Sequence, residues 1–208
     1  WKRTKRLLIP AYLWNIFYGG MVAFLGLFGF TIGAKPDLYN LFVMPFVDGE
    51  AFQYNLGSWF VYPLFLVCII NVLFRKFLKL IHLDNEFIVL IVYLAIGMIG
   101  INTAIGNPTA INGIVKLLVR TMFFLPCYEF GRFYKAVLEK KDTLNNVAYF
   151  AIIFAVQLIL LTFCKDLEYT PSSFTKFNNG FIIPYISSIT GIAFWLSLIH
   201  ISEPTRRV

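Results

Sequence analysis

Six apolar runs, each close to the roughly 20 residues that a helix needs to cross a bilayer, set the terms for this chain. They are Leu7–Phe30, Ser58–Phe74, Phe87–Ile105, Ile114–Tyr134, Val147–Cys164 and Phe181–Ile199. Hydrocarbon cannot satisfy backbone N–H and C=O groups, so runs of this length in a membrane must be helical. The expectation is an all-α membrane protein with about six transmembrane helices belonging to a larger polytopic bundle. Composition agrees. Of 208 residues, 59% are hydrophobic and only 14% charged, against about a quarter charged in soluble domains.

The net charge of +7 does not point to nucleic acid, because the cations sit at the ends of the apolar runs instead of forming one basic face. With the N-terminus cytoplasmic, the inner segments hold eleven of them: Lys2, Arg3, Lys5, Arg6, Arg75, Lys76, Lys79, Arg132, Lys135, Lys140 and Lys141. The outer segments hold Lys35, Lys165 and Lys176. That asymmetry predicts a multi-pass protein of the cell inner (plasma) membrane, with its N-terminus inside. Cys68, Cys127 and Cys164 lie in or at the end of apolar runs without C-x-x-C spacing, so neither a disulfide framework nor a metal site is expected.

The outer loop Thr31–Gly57 carries apolar and aromatic residues and is expected to lie at the membrane interface, as an anchor or as a small lid. The outer loop Lys165–Gly180 has only turn chemistry. Residues 1–198 read as one membrane domain. The chain opens in mid-loop without Met, which is expected of a fragment. Ile199–Val208 reads as a non-native tail of the kind that translated sequencing adapters leave.

Few polar residues stand out against this background. Arg3 and Arg6, three apart, share a helix face and suit the phosphates of a nucleotide-containing donor, or equally those of lipid headgroups. Trp59, before Pro63, reads as an interface anchor or as a wall of an acceptor pocket. Arg120 and Glu129 interrupt the greasy fourth run, and charge at membrane depth costs several kcal/mol unless paired or hydrated. They lie nine residues apart, on opposite sides of the helix and about 13.5 Å apart along it, so they do not pair with each other. Arg120 is expected to line a cavity or to snorkel outward, and Glu129 to line a cavity or reach Arg132. Pro126 between them removes a backbone hydrogen bond and is expected to kink the helix. Asn71, Asn102 and Gln157 are expected to bond between helices.

The stretches KRTKRLLIPAYLW, SWFVYPLFL, FRKFL, RTMFFLPCYEFGRFYKAVLEK and PYISSITGIAFWL together resemble the acyltransferase-3 family of integral membrane O-acyltransferases. The R-x-x-R pair (Arg3, Arg6) and the spacing of Arg120, Pro126 and Gly131 carry most of that likeness. It implies transfer of an acyl group, such as acetyl, from acyl-coenzyme A as co-substrate to a carbohydrate hydroxyl, with no bound cofactor. It further implies that Arg3 and Arg6 face the donor. The family's catalytic histidine would precede Trp1, so no catalytic residue is expected within these residues and the fragment by itself is expected to be inactive. The alternative is a polytopic transporter or glycan-export subunit, which would show an inverted repeat of broken helices.

Overall fold

The computed structural model describes residues 2–30, 33, 35–138, 146–164 and 180–202, with side chains described over 5–30, 33, 35–137, 147–164 and 180–194. All regular structure among these residues is helical. The long helices are α1 (Lys2–Leu27), α3 (Val61–Leu80), α4 (Glu86–Gly106), α5 (Gly113–Phe133), α6 (Asn146–Phe163) and α7 (Ile182–Ser202). Between α1 and α3 lie a π-helical turn, Tyr39–Val43, a four-residue helix α2 (Met44–Val47), and a 3-10 stretch, Gln53–Phe60, that breaks at Asn55.

Among the described residues three helices are long and apolar enough to cross a membrane: Lys5–Leu27, Gln53–Leu80 and Glu86–Gly106. The expected count of six is therefore met only in part. Helix α5 has the length but carries Lys116, Arg120, Glu129 and Arg132. The described apolar parts of α6 and α7, Val147–Phe163 and Ile182–Phe194, are shorter than a full span. The second run also extends further than its hydropathy suggested, because Arg75, Lys76 and Lys79 continue α3 to Leu80 instead of ending it.

The turn from α3 to α4 is built by capping. Leu83 N donates to Leu78 O at 2.9 Å and His82 N to Lys79 O at 3.2 Å, the crossed pattern of a Schellman end. His82 takes the left-handed position there with φ 57°, where glycine is the usual occupant. Three residues on, Asn85 caps α4 by accepting from Phe87 N at 2.9 Å. This tight reversal brings Asp84 and Glu86 back against Arg75.

Helices α4 and α5 run antiparallel in close contact, the ring of Phe87 meeting Phe133 at 4.9 Å at one end. Midway, Gly97 makes the approach possible. A Cβ there would lie 2.2 Å from the Tyr185 hydroxyl and 2.7 Å from Pro126 Cγ. Pro126 thus packs into a notch on α4, and α5 remains one helix through it. Helices α3 and α5 run the same way: Trp59 stacks on Phe124 at 5.9 Å near one end, and Asn71 and Arg75 meet Glu129 towards the other.

On one side of the segment 39–57, Tyr39, Val43, Val47 and Leu56 are exposed. Leu41, Pro45, Gly49, Ala51 and Phe52 are all buried among the helices. Its attachment to α1 runs through Asn15, which is fully buried, donates to Leu41 O at 2.8 Å, and accepts from Asn55 Nδ2 at 2.7 Å. A closer join is made at Gly49, whose φ is +65° and whose Cβ, if present, would lie 2.7 Å from Gly113 O. Only glycine fits both the backbone angle and the approach.

Candidate functional site

Three places hold the residues that the sequence singled out. The first is an apolar groove of about 540 Å³ between α3, α5 and α7, walled by Trp59, Phe60, Leu64, Phe123, Phe124, Cys127, Ser187, Ser188, Gly191 and Ile192. Trp59 is therefore a wall residue. Two aromatic stacks hold that wall in place, Trp59 on Phe124 and Phe123 on Tyr185, the latter at 5.1 Å with an 18° interplanar angle.

Behind that wall sits Arg120. Its guanidinium lies 5.2 Å from the Trp59 ring, a cation–π distance, and donates to Gly49 O. At 3% exposure it is enclosed by protein. Four residues earlier on α5, Lys116 pairs with Glu50. Both cations bind the 44–50 segment to α5, so the charges that looked costly in a single apolar run have partners on a segment 66 to 71 residues away.

The second place is a polar network joining α3, α4 and α5. Glu129 is fully buried and takes one hydrogen bond from Arg75 Nη2 and one from Asn71 Nδ2, the latter at 3.1 Å. Arg75 also binds Glu86 and, at 3.2 Å, Asp84. Arg132 donates to Asn71 Oδ1 at 2.9 Å and lies 3.8 Å from Glu86, while Lys79 lies 3.8 Å from Asp84. Three cations thus face three carboxylates, a neutral set, and Asn71 supplies neutral amide links between them. The expected reach from Glu129 to Arg132 along its own helix is replaced by Asn71, which bridges the two from α3. Glu129 is occupied by helix-to-helix bonding and not by a cavity wall.

The third place is a smaller groove of about 280 Å³, bordered by Arg6, Leu7, Pro10, Trp14, Asn55, Gly57, Ser58 and Val61. It sets Arg6 beside the start of α3, whereas Arg75 lies fourteen residues further along, about 21 Å at 1.5 Å per residue. The two basic groups assigned to one inner face therefore sit at different levels along α3. The side chain of Arg3 lies outside the described residues, as do Lys140, Lys141, Lys165, Lys176 and most of the loop Lys165–Gly180.

Of the polar residues expected between helices, Gln157 on α6 bonds Thr190 and, at 3.4 Å, Ser187 O on α7. Asn102, by contrast, is exposed. Cys68, Cys127 and Cys164 are free thiols. Among the described residues no cluster of three His, Cys, Asp or Glu side chains offers a metal site.

No protein-family model matches this chain, and no match is found among curated proteins or solved structures. The network around Glu129 joins residues that no local spacing relates. Asn71 and Glu129 lie ten and sixteen residues into α3 and α5, about 9 Å apart in level by helix rise alone, so their meeting is set by how the two helices are staggered.

Proposed function

We propose that these residues are part of a polytopic, multi-pass O-acyltransferase of the cell inner membrane. It would move an acyl group, acetyl in the simplest case, from acyl-coenzyme A to a carbohydrate hydroxyl. The observation that carries the reading is that α5, which bears the Arg120, Pro126 and Gly131 pattern, forms one wall of a sizeable apolar groove. Its volume falls in the range of small-molecule sites, about 300–1,000 Å³.

In this reading all six apolar runs cross the bilayer and the end of α3 that carries Arg75, Lys76 and Lys79 faces the cytoplasm, with the N-terminus on the same side. Arg3 and Arg6 hold the donor's phosphates through bidentate guanidinium contacts. The level of Arg6 asks for a cytoplasmic funnel that reaches as far as Val61, since a phosphate in hydrocarbon would be prohibitively costly. A histidine from a helix preceding Trp1 serves as the general base on the acceptor hydroxyl.

The test is donor binding by the chain in lipid nanodiscs, measured by calorimetry with acetyl-coenzyme A. Binding that falls about tenfold or more in Arg3→Ala/Arg6→Ala supports the donor site. No binding, or equal binding by the double variant, overturns it. A transporter would instead be recognised by movement of a solute across vesicles without donor binding.

A further inference from the structure

We propose that Glu86 and Glu129 take up one proton between them on acidification, and that this proton replaces Arg75 as the bridge from one carboxyl group to the other. The inference goes beyond the acyl-transfer reading and rests on the network of α3, α4 and α5 alone.

Contact between the two carboxyl groups is the first argument. Glu129 on α5 and Glu86 at the start of α4 both accept from Arg75 Nη2, and they lie within hydrogen-bond reach of each other. Two ionised carboxylates at that range repel, the more so where protein has displaced water. One proton between them turns the repulsion into an O–H···O⁻ hydrogen bond, which is of the short, charge-assisted kind.

Local charge sets the number at one. The network as a whole is balanced, yet Arg75 is the only cation among the described residues that hydrogen-bonds the pair. Arg132 on α5 gives its hydrogen bond to Asn71 Oδ1 and stays 3.8 Å from Glu86. Lys79 on α3 lies 3.8 Å from Asp84, with its side chain 71% exposed. Asp84, in the turn, draws on Arg75 as well, at 3.2 Å. The other polar groups at the pair are Asn71 on α3 and the Tyr93 hydroxyl on α4, which meet at 3.4 Å. Two carboxylates therefore divide less than one full cation, and a single proton makes up the difference.

Access is the third argument. Glu129 is fully buried, but the side chain of Glu86 is 29% exposed. Glu86 thus touches water and Glu129 at once, and a proton that arrives on it can pass to the buried carboxyl within one hydrogen bond. Uptake forms one O–H bond and breaks only the hydrogen bond from Arg75 Nη2 to Glu129. Arg75 keeps Glu86 and Asp84. The ionic tie of α5 then passes from α3 to α4.

The experiment is infrared difference spectroscopy of the chain in lipid nanodiscs, titrated from about pH 8 to about pH 5, with isotope-labelled glutamate to set aspartate aside. A protonated-carboxyl band is expected on acidification that either Glu86→Gln or Glu129→Gln removes, because the carboxylate left behind has Arg75 Nη2 to itself and stays ionised. The double variant should remove no more of the signal than either single one. Glu86→Asp and Glu129→Asp, which keep the charge but part the pair, give the same readout if the glutamine variants fail to fold.

Loss of the band in only one of the two single variants overturns the shared proton in favour of one isolated acid. Losses that add in the double variant overturn it in favour of two independent acids. Spectra that no variant alters show the pair doubly ionised throughout, and the proposal falls.

Discussion

Arg75 and Glu129, 54 residues apart in sequence, meet through Arg75 Nη2, and the same nitrogen also serves Glu86. One guanidinium thereby joins α3 to both α4 and α5. The two carboxylates differ in what else they have. Glu86 is partly exposed and has Arg132 nearby, whereas Glu129 is fully buried and has Asn71 as its second donor.

That difference predicts an asymmetry between two substitutions. Arg75→Ala strands a fully buried carboxylate, and removing one partner of a buried pair costs about 3–5 kcal/mol. Glu129→Gln keeps an acceptor for Asn71 and leaves Arg75 with Glu86 and Asp84, so its cost is about 1–3 kcal/mol. Denaturant titration in detergent should rank Arg75→Ala below Glu129→Gln. The reverse order would show that Glu129 is not charged in the folded protein.

A separate prediction concerns Arg120. Its partners are a carbonyl oxygen and an aromatic face, an arrangement suited to a planar guanidinium that one ammonium reproduces poorly. Arg120→Lys should therefore release the 44–50 segment almost as fully as Arg120→Leu. Hydrogen exchange at Gly49 and Glu50 should accelerate in both, while amides of α4 stay protected. Unchanged exchange in Arg120→Lys would mean that charge alone holds the segment.

At the α3–α4 turn, His82 occupies a left-handed conformation with no cap bond from its side chain among those observed. An L residue pays about 1–2 kcal/mol for that geometry, and glycine does not. Glycine loses more backbone entropy on folding, which offsets part of that relief, so His82→Gly should raise stability by about 0.5–1 kcal/mol. A lower melting temperature for His82→Gly would indicate a role for the imidazole beyond the turn.

Tyr185 offers the converse case. Its hydroxyl is buried against Gly97 and has no hydrogen-bond partner among the described residues. A buried hydroxyl left unpaired costs about 1–3 kcal/mol, so Tyr185→Phe should be neutral or stabilising. Gly97→Ala should be strongly destabilising, because the added methyl meets both that hydroxyl and Pro126. Combining it with Tyr185→Phe should recover part of the loss but not all, since Pro126 remains. Full additivity of the two would place Tyr185 away from Gly97.

Hydropathy located the long helices to within a few residues where run and helix end together: Phe87–Ile105 against Glu86–Gly106, and Ile114–Tyr134 against Gly113–Phe133. It failed at Arg75, Lys76 and Lys79, where charge was taken for the end of a helix that in fact continues in order to place Arg75 under Glu129. Over 39–57 it carries no sign that Asn15 bonds Leu41 and Asn55, that Arg120 bonds Gly49, or that Lys116 pairs with Glu50. In both places the missing information was a partner dozens of residues away, and local pattern carries no trace of such pairing. Asn71 was read as an interhelical bond, and its partners Tyr93, Glu129 and Arg132 lie on two other helices.

Every side-chain and main-chain partner of Asn15 outside its own helix lies later in the chain: Leu41, Asn55 and Tyr62. A ribosome making this protein completes α1 before any of them has been added. The helix must first tolerate one unmatched carboxamide among lipid tails, at a depth where grease gives no reason to prefer protein over lipid. Its seat is fixed only after Tyr62 has emerged, so α1 is inserted early and assembled late. A released chain truncated near residue 50 lacks Asn55 and Tyr62 and should leave α1 free to wander from the segment that finally holds it.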